Sequence, residues 1–290
     1  MKLSIAFITS NRKKELLKAI NSCIDKIHCE YEIVIVDNKS TDGCESYIKS
    51  NTQKDINYYY SDINLGVAGG RNKAYSLSKG EYVFFLDDDA IVIGDAFFDR
   101  LIMFMDANHV VVAASPNIQE PQKGTNLNSK YVYQDGMYKQ ILSYCGCAHI
   151  LRKQFFDTLP CLYPNNLQFG SEELYSSIMS YANDKIVVEI EELLVEHYPS
   201  MVNRVEGDDR KFNFIFNQYI IKRMLYPKNK IWLTKLFFTL HKAKHHFIGI
   251  RWNRRTKEYE KLRYEEQCVN RMSVNVWIRL KEKFGWRIIY

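Results

Sequence analysis

Glu81-Tyr-Val-Phe-Phe-Leu-Asp-Asp-Asp89 decides how this chain is to be read: a run apolar enough for a buried strand stops abruptly in three adjacent carboxylates. Neighbouring acids repel one another, and the repulsion has to be relieved by solvent, by basic partners or by a cation. In an extended chain alternate side chains share a face, so Asp87 and Asp89 are expected to point one way and Asp88 the other. Such an acid-x-acid clamp offers hard oxygen ligands, which suit Mg²⁺ or Mn²⁺ shared with a diphosphate better than Zn²⁺. For an isolated triplet the plain alternative is a solvated turn after a strand. The flanking sequence favours the clamp.

Upstream, Lys2–Thr9 has strand composition. Asn11 is placed to cap the next segment, where Leu16, Ile20, Cys23, Ile24 and Ile27 recur at helical spacing. Tyr31–Val36 is a nearly continuous β-branched run that ends at Asp37, and strand, helix and buried strand in succession imply a parallel βαβ unit. The alternation continues with a helix near 41–50, a strand at 56–60, a helix from 68 to 78 and the strand that ends in the triplet. Beyond it, 95–107 reads as helix and 110–114 as strand. Residues 1–115 therefore read as a doubly wound α/β unit, whose functional groups gather outside the carboxyl ends of its strands, where Thr9, Asp37 and Asp87–Asp89 all fall. Residues 116–140, rich in Pro, Asn, Gln, Gly and Lys, read as a loop; strand, helix and strand resume at 144–151, 171–182 and 185–190.

With 290 residues, 46% hydrophobic, the chain can bury a substantial core. No apolar run reaches membrane-spanning length, and the N-terminus lacks the cleavage site of a signal peptide. Seven cysteines form no regular framework, which fits a reducing cytosol, and Cys145-Gly-Cys147-Ala-His149 reads as packed thiols on a core strand before it reads as a zinc site. The net charge of +6 is unevenly spread: residues 204–290 hold 21 Lys and Arg against 8 Asp and Glu, whereas the preceding 203 residues hold 19 against 26. From Arg210 to Lys257 there are 13 basic residues and no acid, interleaved with aromatic residues, which points to an acidic partner such as a membrane surface.

Five stations in register, Ile-Thr-Ser-Asn-Arg (8–12), Ile-Val-Asp-Asn-Lys-Ser-Thr-Asp (35–42), Asn-Leu-Gly-Val-Ala-Gly-Gly-Arg-Asn (64–72), Phe-Leu-Asp-Asp-Asp (85–89) and Phe-Gly-Ser-Glu-Glu-Leu (169–174), resemble the family 2 glycosyltransferases of the GT-A fold over roughly residues 1–200. The resemblance implies a catalytic domain at 1–203, with a nucleotide-binding half (1–115) and an acceptor half (116–203), followed by a basic helical region at 204–290. It implies an inverting, metal-dependent transfer of a sugar from a nucleoside-diphosphate donor to a hydroxyl of a glycan or lipid-linked oligosaccharide. The setting it implies is bacterial capsule, O-antigen or exopolysaccharide assembly, in the cytoplasm or on the inner face of the membrane. Asp89 matches the metal ligand, with Mn²⁺ or Mg²⁺ as the ion, and Asp87 the contact to ribose or metal-bound water. His197 matches a position that touches metal or diphosphate. For the donor, Asp37 meets the nucleobase or ribose and Thr9 lines the base pocket; Gly69 and Gly70 let the backbone approach, Arg71 reaches the base or diphosphate, and Asp88 completes the set. The pair Glu172-Glu173 aligns with the family's acidic pair, whose second member is the general base, here Glu173.

Two other readings stand beside this one. A sugar nucleotidylyltransferase would want a Gly-rich loop straight after the first strand, whereas residues 8–14 contain no Gly. A non-catalytic membrane- or nucleic-acid-binding module is permitted by 210–257, but the intact acids argue against it, and no nucleic-acid partner is expected. Within 231–250, a helical wheel gathers Trp232, Leu233, Leu236, Phe237, Leu240 and Phe247 on one side, with Lys235, Lys242 and His246 opposite and Lys244 intruding on the apolar side. That face either packs on the catalytic domain or lies in an anionic membrane interface.

Overall fold

In the computed structural model, residues 1–50, 56–128, 132–167, 169–200, 207–247 and 256–288 are described. The alternation read from the sequence is realised as β1 (Leu3–Thr9), α1 (Lys13–Ile24), β2 (Tyr31–Asp37), α2 (Cys44–Ser50), β3 (Ile56–Tyr60), α3 (Gly66–Leu77) and β4 (Tyr82–Leu86). After the acid triplet come β5 (Ala90–Ile93), α4 (Phe97–Ala107), β6 (Val111–Glu120), three short strands β7 (Thr125–Asn126), β8 (Val132–Gln134) and β9 (Lys139–Ile141), then β10 (Ala148–Arg152), α5 (Lys153–Phe156), α6 (Glu172–Ala182) and β11 (Ile186–His197). The C-terminal region contributes α7 (Gly207–Leu225), α8 (Ile231–Phe247), α9 (Thr256–Arg263) and α10 (Val274–Phe284).

The sheet runs β3-β2-β1-β4-β10-β6-β11-β9-β8. From β3 to β11 the strands are mostly parallel; β10 alone runs against its neighbours β4 and β6. Helices cover both faces, so the inner strands are buried on both sides and carry near-continuous apolar runs: Ile33–Val36 and Tyr82–Leu86 are buried throughout.

Three local expectations are corrected. Residues 116–140 are not one loop, because β6 continues to Glu120 beside β11 and three further strands follow. The polar composition misleads there because Asn128 satisfies its neighbours through side-chain bonds, donating to Asn117 Oδ1 and Glu189 Oε1. Asn11 does not cap α1: it adopts a left-handed φ of 56° and accepts from the Thr41 backbone N–H, while Asp42 Oδ2 receives the Lys13 N–H at 2.8 Å. The triplet leaves strand geometry at Asp87, where the Ala90 N–H turns back to the Asp87 carbonyl at 3.1 Å, so the strict alternation of side chains lapses.

The C-terminal helices pack on the α/β unit through α6 and α7. Tyr175 donates its hydroxyl to the Cys268 carbonyl at 3.0 Å, and Cys161 Sγ lies 2.7 Å from Cys268 Sγ. On α8, Phe238 is buried, stacked on Tyr219 of α7 with ring centroids 4.3 Å apart, and Thr234 is buried beside it. Leu233 and Phe237 are half-buried, whereas Trp232, Leu236 and Leu240 are 61%, 46% and 54% exposed. The side chains of His246 and Phe247, and residues 248–255, lie outside the described residues. No described helix is long and apolar enough to cross a membrane.

Candidate active site

The carboxyl ends of β1, β2 and β4 open into a cleft of about 780 Å³, lined on one side by Thr9, Arg12, Asn38 and the three aspartates and on the other by Phe169–Leu174 and residues of α7. The triplet is held there by backbone and by cations. The Asp87 N–H donates to the Cys147 carbonyl at 2.8 Å. Arg12 Nη1 reaches both Asp88 Oδ1 (3.0 Å) and Asp89 Oδ2 (3.3 Å), so Asp88 turns toward the same cation as Asp89 and not away from it. Burial, reinforced by the charge of Asp89, raises the pKa of Asp88 to about 7 in spite of Arg12.

His197 arrives from the far end of the chain. Strand β5, which follows the triplet directly, pairs antiparallel with the end of β11 in a register that sets His197 opposite Ala90. His197 Nε2 then lies 3.2 Å from Asp89 Oδ1, and Nδ1 lies 3.2 Å from Glu120 Oε1. Burial opposes protonation of this imidazole, but its bond to Asp89 and the charges of Asp87 and Asp89 outweigh burial and raise its pKa. Asp89 also accepts the Ser200 N–H at 2.8 Å. Burial pushes its pKa up, but the bond to His197 and this N–H prevail and lower it.

Arg71, buried on α3, joins the two acidic groups. Its Nη1 contacts Glu172 Oε1 at 2.9 Å and Glu173 Oε1 at 2.6 Å, while Nη2 contacts Asp87 Oδ1 at 3.2 Å and the Gly146 carbonyl at 2.8 Å. One guanidinium therefore spans the gap between the triplet and the start of α6. Gly146 is what lets it fit: a Cβ there would stand 2.0 Å from Glu173 Oε1 and 2.7 Å from Arg71 Nη2. The acid pair is asymmetric. The Glu172 side chain is 2% exposed and that of Glu173 12%. Burial, and then the charge of Glu173, raise the pKa of Glu172 to about 8, and its Oε2 is buried without a hydrogen-bond partner.

The donors suit a divalent cation. Asp87, Cys147 and His197 each offer a ligand atom, all within 4.8 Å of one another, and Asp89 touches His197 directly. Carboxylates with one imidazole fit Mn²⁺ or Mg²⁺, while the thiol is the softer and less fitting member. Cys145 and His149 stand apart from this cluster: His149 Nε2 lies 3.1 Å from the Tyr163 hydroxyl, its ring stacked on Phe85.

The structure thus brings Arg71, Asp87, Asp88, Asp89, Glu172, Glu173, His197 and Thr9 to one cleft. Asp37 is fully buried behind it, accepting from the Tyr58 hydroxyl and from the Ser40 N–H at 2.7 Å, and it is Asn38 that lines the cleft. Gly70 faces the protein, where a Cβ would stand 2.9 Å from Ile8 Cγ2, so this glycine lets α3 approach β1, and neither it nor Gly69 lines the cleft. Arg12 and Gly146 were given no role in the sequence reading, although Arg12 carried a signal, a cation just past a strand end within the 8–12 station. Cys147 was read with Cys145 and His149 as a packed thiol, whereas its sulfur lies near Asp87 and His197.

An acid cluster at the carboxyl ends of a mostly parallel sheet, with a second acid pair across the cleft, defines a glycosyltransferase of the GT-A fold, and comparison with known proteins agrees. Residues 4–160, more than half of the chain, match the family described as Glycosyl transferase family 2. The chain belongs to that family. WcaA of Escherichia coli (strain K12), whose name places it in colanic acid biosynthesis, is 35% identical over 89 residues, 30% of this chain and 32% of WcaA. The GalNAc(5)-diNAcBac-PP-undecaprenol beta-1,3-glucosyltransferase of Campylobacter jejuni is 35% identical over 99 residues, 33% of this chain and 32% of that protein. These matches thus span about a third of each relative. Among solved structures, Staphylococcus aureus TarS 1-349 superposes with a TM-score of 0.58 at 20% identity, covering 68% of this chain and 60% of that one. GalNAc-T7 with UDP, GalNAc and Mn²⁺ gives 0.66 at 13% identity, covering 98% and 58%. At these identities the structures speak for the fold.

Proposed function

We propose that the chain transfers a sugar, with inversion, from a nucleoside-diphosphate donor to a hydroxyl of a surface-glycan acceptor, assisted by Mn²⁺ or Mg²⁺. The observation that carries the reading is the Arg71 bridge, which holds Glu172 and Glu173 on the same guanidinium as Asp87. Donor and acceptor chemistry need this proximity, because the attacking hydroxyl and the departing diphosphate sit on opposite sides of one anomeric carbon.

Each residue then has a task. Asp87, Asp89 and His197 would hold the cation, whose role when bound is to neutralise charge on the departing diphosphate. Arg12 steadies Asp88 and Asp89 so that the carboxylates do not spring apart before the donor enters. Glu173 reaches the cleft and takes the proton of the acceptor hydroxyl. Glu172, sealed and holding a proton to about pH 8, keeps Arg71 from being over-neutralised and so helps fix Glu173 in place. Support for a nucleotide-sugar donor and Mn²⁺ comes from GT-A neighbours solved with UDP-GlcNAc, or with UDP and Mn²⁺. A lipid-linked acceptor is supported by the undecaprenol-linked acceptor in the name of the Campylobacter relative.

The test is a panel of UDP-, GDP- and dTDP-sugars screened for thermal stabilisation with Mn²⁺ and with EDTA. One donor class should stabilise the protein with Mn²⁺ alone, and Asp89→Ala should erase that effect; a protein that no donor stabilises, or an undiminished Asp89→Ala response, would overturn the reading. We further propose that α8 rests on anionic lipid through Trp232, Leu236 and Leu240, with Lys228, Lys230, Lys235 and Lys242 nearby in sequence. Sedimentation with anionic but not neutral liposomes, abolished by salt, is the expected result; equal binding to both would refute it.

A further inference from the structure

One side chain in the cleft wall does not suit the ion that the carboxylates favour. Strand β10 begins beside the acid triplet: its register sets Ala148 opposite Leu86, and the Asp87 N–H donates to the Cys147 carbonyl at 2.8 Å, so Cys147 stands across from Asp87. The pairing of β5 with β11 brings His197 to the same place from the other end of the chain. Three segments far apart in sequence therefore converge, one carrying oxygen, one nitrogen and one sulfur. A carboxylate oxygen of Asp87, Cys147 Sγ and a ring nitrogen of His197 all lie within 4.8 Å of one another, and all three residues line the cleft.

A tetrahedral ion with bonds of about 2.0–2.3 Å holds its ligand atoms ~3.5 Å apart, so the three can close on an ion with shifts of about 1 Å. The surroundings are set for it. His197 is held between Asp89 and Glu120, 3.2 Å from each, which orients its ring. Cys147 is buried on a backbone tied to Asp87, and Asp87 itself is partly exposed, with Oδ1 on Arg71. Which ion these atoms take depends on its softness. Mg²⁺ and Mn²⁺ prefer hard oxygen and leave a thiol as a protonated bystander, whereas Zn²⁺ and softer ions bind thiolate and imidazole readily.

We propose that Cys147 is a metal ligand and that, with Asp87 and His197, it forms an oxygen, nitrogen and sulfur site for a thiophilic divalent ion, Zn²⁺ foremost, which competes with Mn²⁺ for the cleft. This rests on the reading of Asp87 and His197 as metal ligands, and it adds the sulfur and the second ion. As the ion binds, the thiol gives its proton to solvent and the sulfur donates an electron pair to the metal; nothing is oxidised or reduced. Because both ions use Asp87 and His197, one excludes the other.

The test uses the full, reduced chain and the metals alone. Cd²⁺, a soft stand-in for Zn²⁺, reports a sulfur ligand through its ultraviolet charge-transfer band, and free Mn²⁺ is counted by electron paramagnetic resonance. Cys161 and Cys268, with Sγ atoms 2.7 Å apart, can add a band of their own, so the quantity read is the part of the band that Cys147→Ser removes. That part should be present in the wild type and should weaken in His197→Ala. Zn²⁺ should displace Mn²⁺ from Cys147→Ser at least about tenfold less well than from the wild type, since losing even an outer partner of a ligand costs about ten- to hundredfold. The affinity for Mn²⁺ itself should move less than about threefold. Cys147→Ala, which keeps the wall apolar, gives the same reading if the serine variant fails to fold. A Cd²⁺ band that both substitutions leave whole, or Zn²⁺ that displaces Mn²⁺ equally well from all three proteins, would overturn the proposal. A chain that binds Cd²⁺ through Cys147 but takes no Mn²⁺ upholds this site and counts against Mn²⁺-assisted transfer; Mn²⁺ bound with no Cys147 band does the reverse.

Discussion

Replacing Glu172 by Gln tests the assignment of the acid pair, because the two glutamates differ in what burial does to them. Glu172 rises from 4.5 to about 8, a gap of about 3.5 pH units, and at about 1.4 kcal/mol per unit the full linkage is about 5 kcal/mol. The sign follows from which state holds the proton. A carboxyl raised in the folded state stabilises the protein fully below the unfolded pKa of about 4.5, and that contribution is lost as pH rises through about 8. Glutamine carries no charge at any pH and its carbonyl can still accept from Arg71. Glu172→Gln should therefore match the wild type near pH 5 and exceed it near pH 9. A gain of about 3 kcal/mol is the expected scale, since the linkage is shared with Glu173 and Arg71. Urea unfolding followed by tryptophan fluorescence at a series of pH values measures it directly. A variant less stable than the wild type at pH 9, by more than at pH 5, would show Glu172 to be an ionised partner of Arg71 and would refute the division of labour between the two acids.

Three further outcomes follow from the same contacts. Glu173→Gln should bind donor normally and lose on the order of 10² to 10⁴ in transfer rate; if Glu172→Gln does this instead, the pair is reversed. Arg71→Met strands the buried Glu172 and the largely buried Glu173 and should cost about 3–5 kcal/mol near pH 9, where Glu172 is ionised, and less near pH 5, where Glu172 holds its proton; a loss independent of pH would count against the bridge. Cys161 and Cys268, with Sγ atoms 2.7 Å apart, should be joined by a mild oxidant ahead of the other five cysteines, as peptide mapping would show; random pairing would argue that the C-terminal helices are not docked as described.

Much of the first half was legible because parallel strands buried on both faces write continuous apolar runs, and because a turn at a strand end is where charged residues can leave the core. Tyr82–Leu86 running into Asp87–Asp89 is both at once, and the 8–12, 35–42 and 64–72 stations are each read from their position relative to a strand. What lay hidden depends on partners distant in sequence. The strands within 116–140 are short and polar and are held by pairing with β6, β9 and β11, partners distant in sequence or brought close by turns, so they carry neither an apolar run nor a clean alternation. Asp37 carried the same local signal as Asp87, a carboxylate after a buried run, yet Tyr58 and Ser40 enclose one while the other opens to the cleft.

The sequence by itself determined the order of the elements from β1 to β4, the family and which side chains have the chemistry for transfer, since composition and local spacing are properties of neighbours along the chain. Tertiary structure decided which of those side chains meet. The register of β5 on β11 brings His197 to Asp89 across 108 positions, and one buried guanidinium joins Glu172 and Glu173 to Asp87. A glycine at 146 leaves room for both, and residues of α7 close the far wall. Such contacts depend on distance in space, which a one-dimensional pattern does not encode; the burial that raises Glu172 and lowers Lys222, and the carboxylates that raise His197 against its burial, exist only once the chain has folded around them.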